Sequence, residues 1–164
     1  MKILFENLKV KPFFKDGKVI SLIYQNKENN KTKISIFDSY LILPSSLRTL
    51  ALKYKVNNLK GYFPHNFVNE NNLNYEGITL DINFFNDISI QEYEGVISNY
   101  WNLRGELIHY FTLDLKSLHE VLNIFIKDIF NVENIDITKL STNSAISLKF
   151  FRTNYLGETK LHFI

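Results

Sequence analysis

From Arg104 to Phe130 the chain has no proline, and apolar residues recur every three or four positions: Leu107, Phe111, Leu115, Leu118, Val121, Leu122, Phe125, Ile126 and Ile129. That spacing predicts one long amphipathic helix over 104–130 with a wide buried face. At roughly 100° per residue, Asp114 falls among Leu107, Leu118, Val121 and Phe125, away from Lys116, Glu120 and Lys127. Tyr110 precedes it by one turn on the same face. A carboxylate on a buried face is costly unless it is paired, hydrogen-bonded or bound to a metal. Two readings of Asp114 follow: a buried Asp satisfied by helix-end or cross-domain hydrogen bonds, or a functional carboxylate.

The rest of the chain limits which functions such a helix can serve. With 164 residues, 45% hydrophobic and 15% aromatic, the chain suits one globular domain rather than a disordered segment. No apolar run approaches the roughly 20 residues that cross a bilayer. Glu6 breaks the short apolar stretch at the N-terminus, which therefore does not read as a secretory signal. The chain has no cysteine, so disulfides and thiolate-held zinc are excluded. Nineteen basic residues against seventeen acidic ones give a net charge of +2, which supports a nucleic-acid partner only faintly.

Strands are expected before helices. Lys15-Asp-Gly-Lys18 is a turn signal, Val19–Tyr24 a β-branched and aromatic strand, and Lys33–Phe37 its alternating partner across the polar loop Gln25–Thr32. Asp38 reads as a strand-end or turn residue. A helix capped by a serine of Pro44-Ser-Ser46 runs through Leu47, Leu50, Ala51 and Tyr54. Residues 56–103 read as irregular, with a short helical segment near Ile90–Trp101. Ile135–Ile137 and a final segment Ala145–Tyr155 follow the long helix. The expected class is α/β or α+β.

Other chemistry is sparse. His65, His109, His119 and His162 lack metal-ligand spacing and read as solvated side chains. The six glycines form no phosphate loop. Lys2, Lys9, Lys11, Lys15 and Lys18, interleaved with Phe13 and Phe14, read as a solvated hairpin face, with contact to single-stranded DNA as the alternative. Tyr62, Phe63 and Trp101 are candidate base-stacking side chains, and core packing is the reading their residue types favour.

Four landmarks in order resemble one family. Ile36-Phe-Asp-Ser-Tyr-Leu-Ile-Leu-Pro-Ser-Ser-Leu-Arg-Thr-Leu-Ala51 resembles the strand-to-helix passage of protein-primed family-B DNA polymerases of the mitochondrial linear-plasmid type. Lys60-Gly-Tyr-Phe-Pro-His-Asn-Phe67 resembles the segment that follows it. Tyr110-Phe-Thr-Leu-Asp114 matches the third exonuclease motif, Tyr-x-x-x-Asp, and Phe151-Arg-Thr-Asn-Tyr-Leu156 resembles the start of the polymerase module. The resemblance runs from about Asp16 to Leu156.

The resemblance implies a ribonuclease-H-like 3′-5′ exonuclease region over 1–140 and the start of a polymerase module over 141–164. In that family four carboxylates hold two Mg²⁺ or Mn²⁺ ions that activate water. By motif, Asp114 is then a catalytic metal ligand, Tyr110 orients the attacking water, and Lys60 stabilises charge at the scissile phosphate. Lys60, Tyr62 and Phe63 become DNA-binding candidates for a single-stranded 3′ end. The first motif, Asp-x-Glu, has no counterpart, the second lacks its Asn before Phe37-Asp38, and no polymerase motif occurs before Ile164. Met1–Leu8 resembles the remains of a helix downstream of the second motif. The expectation is a fragment of a DNA-directed DNA polymerase, involved in DNA replication and incapable of catalysis alone. A non-catalytic single-stranded-DNA-binding or complementation module, pairing with separately encoded polymerase pieces, is the alternative. An unrelated α+β interaction domain is a third. The resemblance also implies a mitochondrial location and no membrane partner.

Overall fold

The computed structural model describes residues 8–27, 33–59, 61–86 and 88–156. All but Leu8 of the helix remnant expected at Met1–Leu8, and most of the loop expected at 25–32, lie outside them, as do Lys60 and His162; Leu8 itself opens a strand. The fold is mixed α and β, with a small antiparallel sheet and one long helix.

Three strands, β1 (Leu8–Lys15), β2 (Lys18–Asn26) and β3 (Lys33–Phe37), form an antiparallel sheet in the order β1-β2-β3. The β1–β2 turn places Asp16 at φ 51° and Gly17 at φ 73°, both left-handed, as the tightest hairpin turns require. Strand β1 supplies the first arm of the hairpin that the Lys15–Lys18 turn signals, and Pro12 is tolerated in it because β1 is an edge strand. Cross-strand pairing puts Val10, Tyr24 and Ile34 on one face, along with Pro12, Leu22 and Ile36. The opposite face carries Lys9, Gln25 and Lys33, with Lys11, Ile23 and Ser35 beside them. Lys9 and Lys11 are exposed, as a solvated hairpin face requires. A bulge between Phe13 and Phe14 shifts the register beside the turn.

Asp38 ends β3 as a turn residue and caps a 3₁₀ turn (Ser39–Leu41) by accepting the Tyr40 N–H at 2.9 Å. Helix α1 (Leu47–Lys53) begins at Ser46, whose hydroxyl accepts the Thr49 N–H at 3.2 Å. Leu50 and Ala51 are its buried positions.

Residues 56–102 are largely irregular, with a two-stranded ribbon of β4 (Glu76–Gly77) and β5 (Trp101–Asn102) and a 3₁₀ turn (Ile82–Phe84). The helix expected near Ile90–Trp101 is shorter. Helix α2 (Ile90–Glu94) starts with a reciprocal capping box between Ser89 and Glu92 and stops at Gly95. Trp101 is instead in β5, 5% exposed and part of the core. The helix stops because Thr79 holds the chain beyond it. The Thr79 hydroxyl donates to the Val96 and Ser98 carbonyls at 3.2 Å and accepts the Ser98 N–H at 2.7 Å.

Helix α3 (Leu103–Glu133) is one continuous helix, three residues longer at its C-terminal end than the expected 104–130. Its buried positions are Leu103, Tyr110, Ser117 and Val121, a narrower stripe than expected. Phe111 and Leu115, expected in the buried face, are 55% and 69% exposed. The seam follows a seven-residue repeat, so positions 111 and 115 fall to its flank although their side chains are apolar. After α3, Ile135 and Ile137 are buried, and α4 (Asn143–Phe151) passes into a π-helical turn (Arg152–Leu156).

Two compact units divide the chain: Ser45–Asp128, and Met1–Pro44 with Ile129–Ile164. The core of the Ser45–Asp128 unit joins Phe63, Leu80, Phe85, Trp101, Leu103 and Tyr110, with Tyr62, Phe67, Tyr75 and Leu107 packed against it.

The Asp16-Gly17 turn is testable. A Cβ at Gly17 meets nothing within 4 Å, so substitution there costs backbone strain and nothing else. We expect Gly17→Ala to lower stability by about 1 kcal/mol in urea titration.

Candidate exonuclease-type site

The sequence candidates converge on one turn of α3. Tyr110 is 7% exposed, with its ring 5.3 Å from that of Phe63 and edge-on to His65 at 5.5 Å. Phe63 is itself 6% exposed and 5.2 Å from His65. Phe63 and Trp101 are therefore core residues, as their types favoured. Tyr62 is half-buried. Lys60 lies outside the described residues, but its neighbour Gly61 is described. A Cβ on Gly61 would lie 3.1 Å from Leu113 Cδ1 and 3.7 Å from Tyr110 Cδ2. Glycine thus allows the 61–63 backbone to lie directly on α3 beside the Tyr-x-x-x-Asp turn.

Asp114 follows Tyr110 by one turn and is half-buried. Its Oδ1 is sealed from solvent and has no hydrogen-bond partner. No hydrogen bond of the kind a satisfied buried Asp would make reaches that oxygen in this structure. A buried, unpartnered carboxylate oxygen opposes folding and is the kind of strain that sites retain for function. Carboxylate oxygen is the donor that Mg²⁺ and Mn²⁺ prefer. Among the described residues, however, no three His, Asp or Glu side chains gather as metal ligands. The residues present therefore supply one donor of the right kind and not a complete ligand set, so no reaction step is derived through a metal.

Beside this turn is a cavity of about 230 Å³, lined by Ser46, Arg48, Gly61, Tyr62, Phe63, His65, Asn86 and Tyr110. Arg48, on α1, places its guanidinium 4.2 Å from the Tyr62 ring centre and donates to the Tyr62 hydroxyl at 2.5 Å. The Tyr62 hydroxyl donates to Glu92 on α2, and Arg48 approaches the same carboxylate at 3.8 Å. Three separate segments are thus tied at one wall of the cavity. Glu92 also accepts from the Ser89 hydroxyl at 2.6 Å and the Ser89 N–H at 3.0 Å. The Ser89 hydroxyl bond, then Tyr62, hold the Glu92 carboxyl down at about 2. Burial first, and then the bond to Glu92, raise the Tyr62 phenol.

A second tie fixes the approach to Lys60. Glu120, on α3, accepts the Asn57 N–H at 2.7 Å and also bonds the Asn58 side-chain amide. The Asn58 amide is the main cause of the lowered Glu120 carboxyl. Tyr54 meets Phe125 edge-on at 6.5 Å.

Sequence reasoning did not single out Arg48, Glu92, Glu120 or Ser117. The pair Ser89-x-x-Glu92 is legible as a capping box, but nothing in the sequence tells that Glu92 also faces Tyr62. His109 and His119 are exposed, the latter 2.8 Å from Asn123 Nδ2. His65 is exposed overall while its ring packs on Phe63 and Tyr110.

Tyr110 and Asp114, one turn apart on α3 and backed by the Gly61 segment, form the centre of the candidate site. The family described as DNA polymerase type B, organellar and viral, matches residues 1–164, and the chain belongs to that family. A protein of Podospora anserina named "Probable DNA polymerase" is 32% identical over 158 residues, covering 93% of this chain and 13% of its own length. Proteins of the same name from Neurospora intermedia and Ascobolus immersus are 34% and 32% identical, over 91% and 95% of this chain. This chain spans 17% and 15% of those two proteins. No solved structure matches it.

Two outcomes are expected at this site. A carboxyl whose folded value lies below its ordinary 4.5 contributes stability above that value, and loses it as pH falls toward 2. In a ¹³C titration we expect Glu92 to protonate near pH 2, and Ser89→Ala to raise that midpoint more than Tyr62→Phe does. Asp114→Asn, which removes a charge from a poorly solvated position, should stabilise the fold by about 1 kcal/mol in chemical denaturation.

Proposed function

We propose that this chain is part of the 3′-5′ exonuclease region of a protein-primed type B DNA polymerase of the mitochondrial linear-plasmid kind. On this reading the region has a ribonuclease-H-like plan, spans residues 1–140, and is followed at 141–164 by the start of the polymerase module. Its ligand is the single-stranded 3′ end of DNA, and its location is the mitochondrion. The observation that carries the reading is Asp114 Oδ1, sealed and unpartnered one turn after Tyr110.

Asp114 then provides one carboxylate for Mg²⁺ or Mn²⁺, ions that in such a site activate water and stabilise the leaving oxygen. Tyr110, held between Phe63 and His65, orients the water, and Lys60 offsets charge on the scissile phosphate. Tyr62, at the cavity wall with the Arg48 guanidinium over its ring, is the DNA-contact candidate, while Phe63 sets the position of Tyr110 from within the core. The remaining ligands come from outside the described residues, and with the Asp-x-Glu motif lacking a counterpart the chain alone is not expected to digest DNA.

A second reading, a non-catalytic single-stranded-DNA-binding or complementation module, is favoured by one observation. Ile108, Phe111 and Leu115 form an exposed apolar stripe on α3.

The test is Mn²⁺ titration followed by NMR, with digestion of labelled single-stranded DNA run beside it. Millimolar Mn²⁺ should broaden the amide signals of residues 110–117 and 61–63, and Asp114→Asn should remove that broadening. Neither wild type nor Asp114→Ala should digest the DNA. Broadening elsewhere that ignores Asp114→Asn would remove Asp114 from the metal site. Digestion abolished by Asp114→Ala would show that the chain is competent by itself.

A further inference from the structure

Ser117 is fully buried, and its Oγ has no hydrogen-bond partner. A serine inside a helix ordinarily satisfies its hydroxyl by bonding the carbonyl four residues back. This helix permits that bond, since Thr112 makes it to the Ile108 carbonyl at 2.8 Å. Ser117 does not make the equivalent bond. Three residues before Ser117 on the same face stands the second unpartnered buried atom, Asp114 Oδ1. Residues at i and i+3 are neighbours on a helix surface, with Cβ atoms about 5–6 Å apart. A hydroxyl that lacks an acceptor and a carboxylate oxygen that lacks a donor therefore share one turn of a buried seam, and each has what the other needs.

We propose that Ser117 is a positioning residue for Asp114. Its hydroxyl donates to Oδ1, directly after rotation about its Cα–Cβ bond or through one buried water, and so turns Oδ2 outward to the ligand. The inference rests on the proposed role of Asp114. It explains why a polar residue occupies a fully enclosed position between Tyr110 and Val121, where alanine or valine would pack without an unmet donor. Ser117 touches neither metal nor DNA in this account. It acts by restricting the rotamers of the carboxylate.

A double-mutant cycle on the full chain separates this pairing from simple packing. We expect Ser117→Ala to lower Tm by roughly 2–4 °C in the native background, the shift that a lost hydrogen bond gives in a chain of this size. In an Asp114→Ala background the same change should leave Tm unchanged or raise it. As a second readout, the Asp114 ¹³Cγ signal should show an H₂O-to-D₂O isotope shift that Ser117→Ala abolishes. Equal Tm shifts in both backgrounds, or an isotope shift that survives Ser117→Ala, would overturn the pairing. Mn²⁺ broadening keeps the two readings apart. Coupling without broadening supports the pairing while the metal role fails, and broadening without coupling sinks the pairing alone.

Discussion

Tyr110 is where α3, the Gly61–Phe67 segment and the aromatic core meet. Its ring packs between Phe63 and His65, and its backbone lies close enough to Gly61 that a Cβ there would touch it while crowding Leu113. Because the ring is buried in the core, the position of the next turn, which carries Asp114, is set by packing rather than by local hydrogen bonds. Close-packed interiors tolerate little movement, so the turn that carries Asp114 is held in place.

The polar ties act on the same segment from the other side. Arg48, Tyr62 and Glu92 join α1, the 61–67 segment and α2, and Glu120 holds Asn57 and Asn58 against α3. Residues 57–59 and 61–63 are thereby held from both sides, although neither stretch has regular secondary structure. Exposed ion pairs of this kind contribute little to stability. Their effect here is to choose one loop conformation among many, and the strongly lowered Glu92 carboxyl keeps that choice charged well below neutral pH.

The candidate site is carried on one rigid helix and one braced loop, in a chain that belongs to the type B polymerase family. The part of the chemistry present is the part that helix α3 can offer: a ring, a carboxylate and a buried hydroxyl on one face. The chain covers 13–17% of the length of its relatives from Podospora, Ascobolus and Neurospora, so the other donors have ample sequence from which to come in proteins of that kind.

Local physics made much of this legible. Spacing of apolar residues determined α3, the Asp-Gly pair determined the β1–β2 turn, and Ser46 determined the start of α1, because each depends on neighbours within a few residues. The position of Asp114 on the helix seam followed from the same periodicity. What the sequence could not settle was which apolar residues the seam would cover. Tyr110 and Ser117 went inside while Phe111 and Leu115 stayed out, because burial depends on what packs against the helix. Helix α2 ended early because Thr79, distant in sequence, holds Val96 and Ser98. The joining of Arg48, Tyr62 and Glu92, and the isolation of Asp114 Oδ1, were likewise decided by tertiary structure. Hydrogen-bond partners far apart in the chain leave no periodic trace in it, and they are found only once the chain has folded.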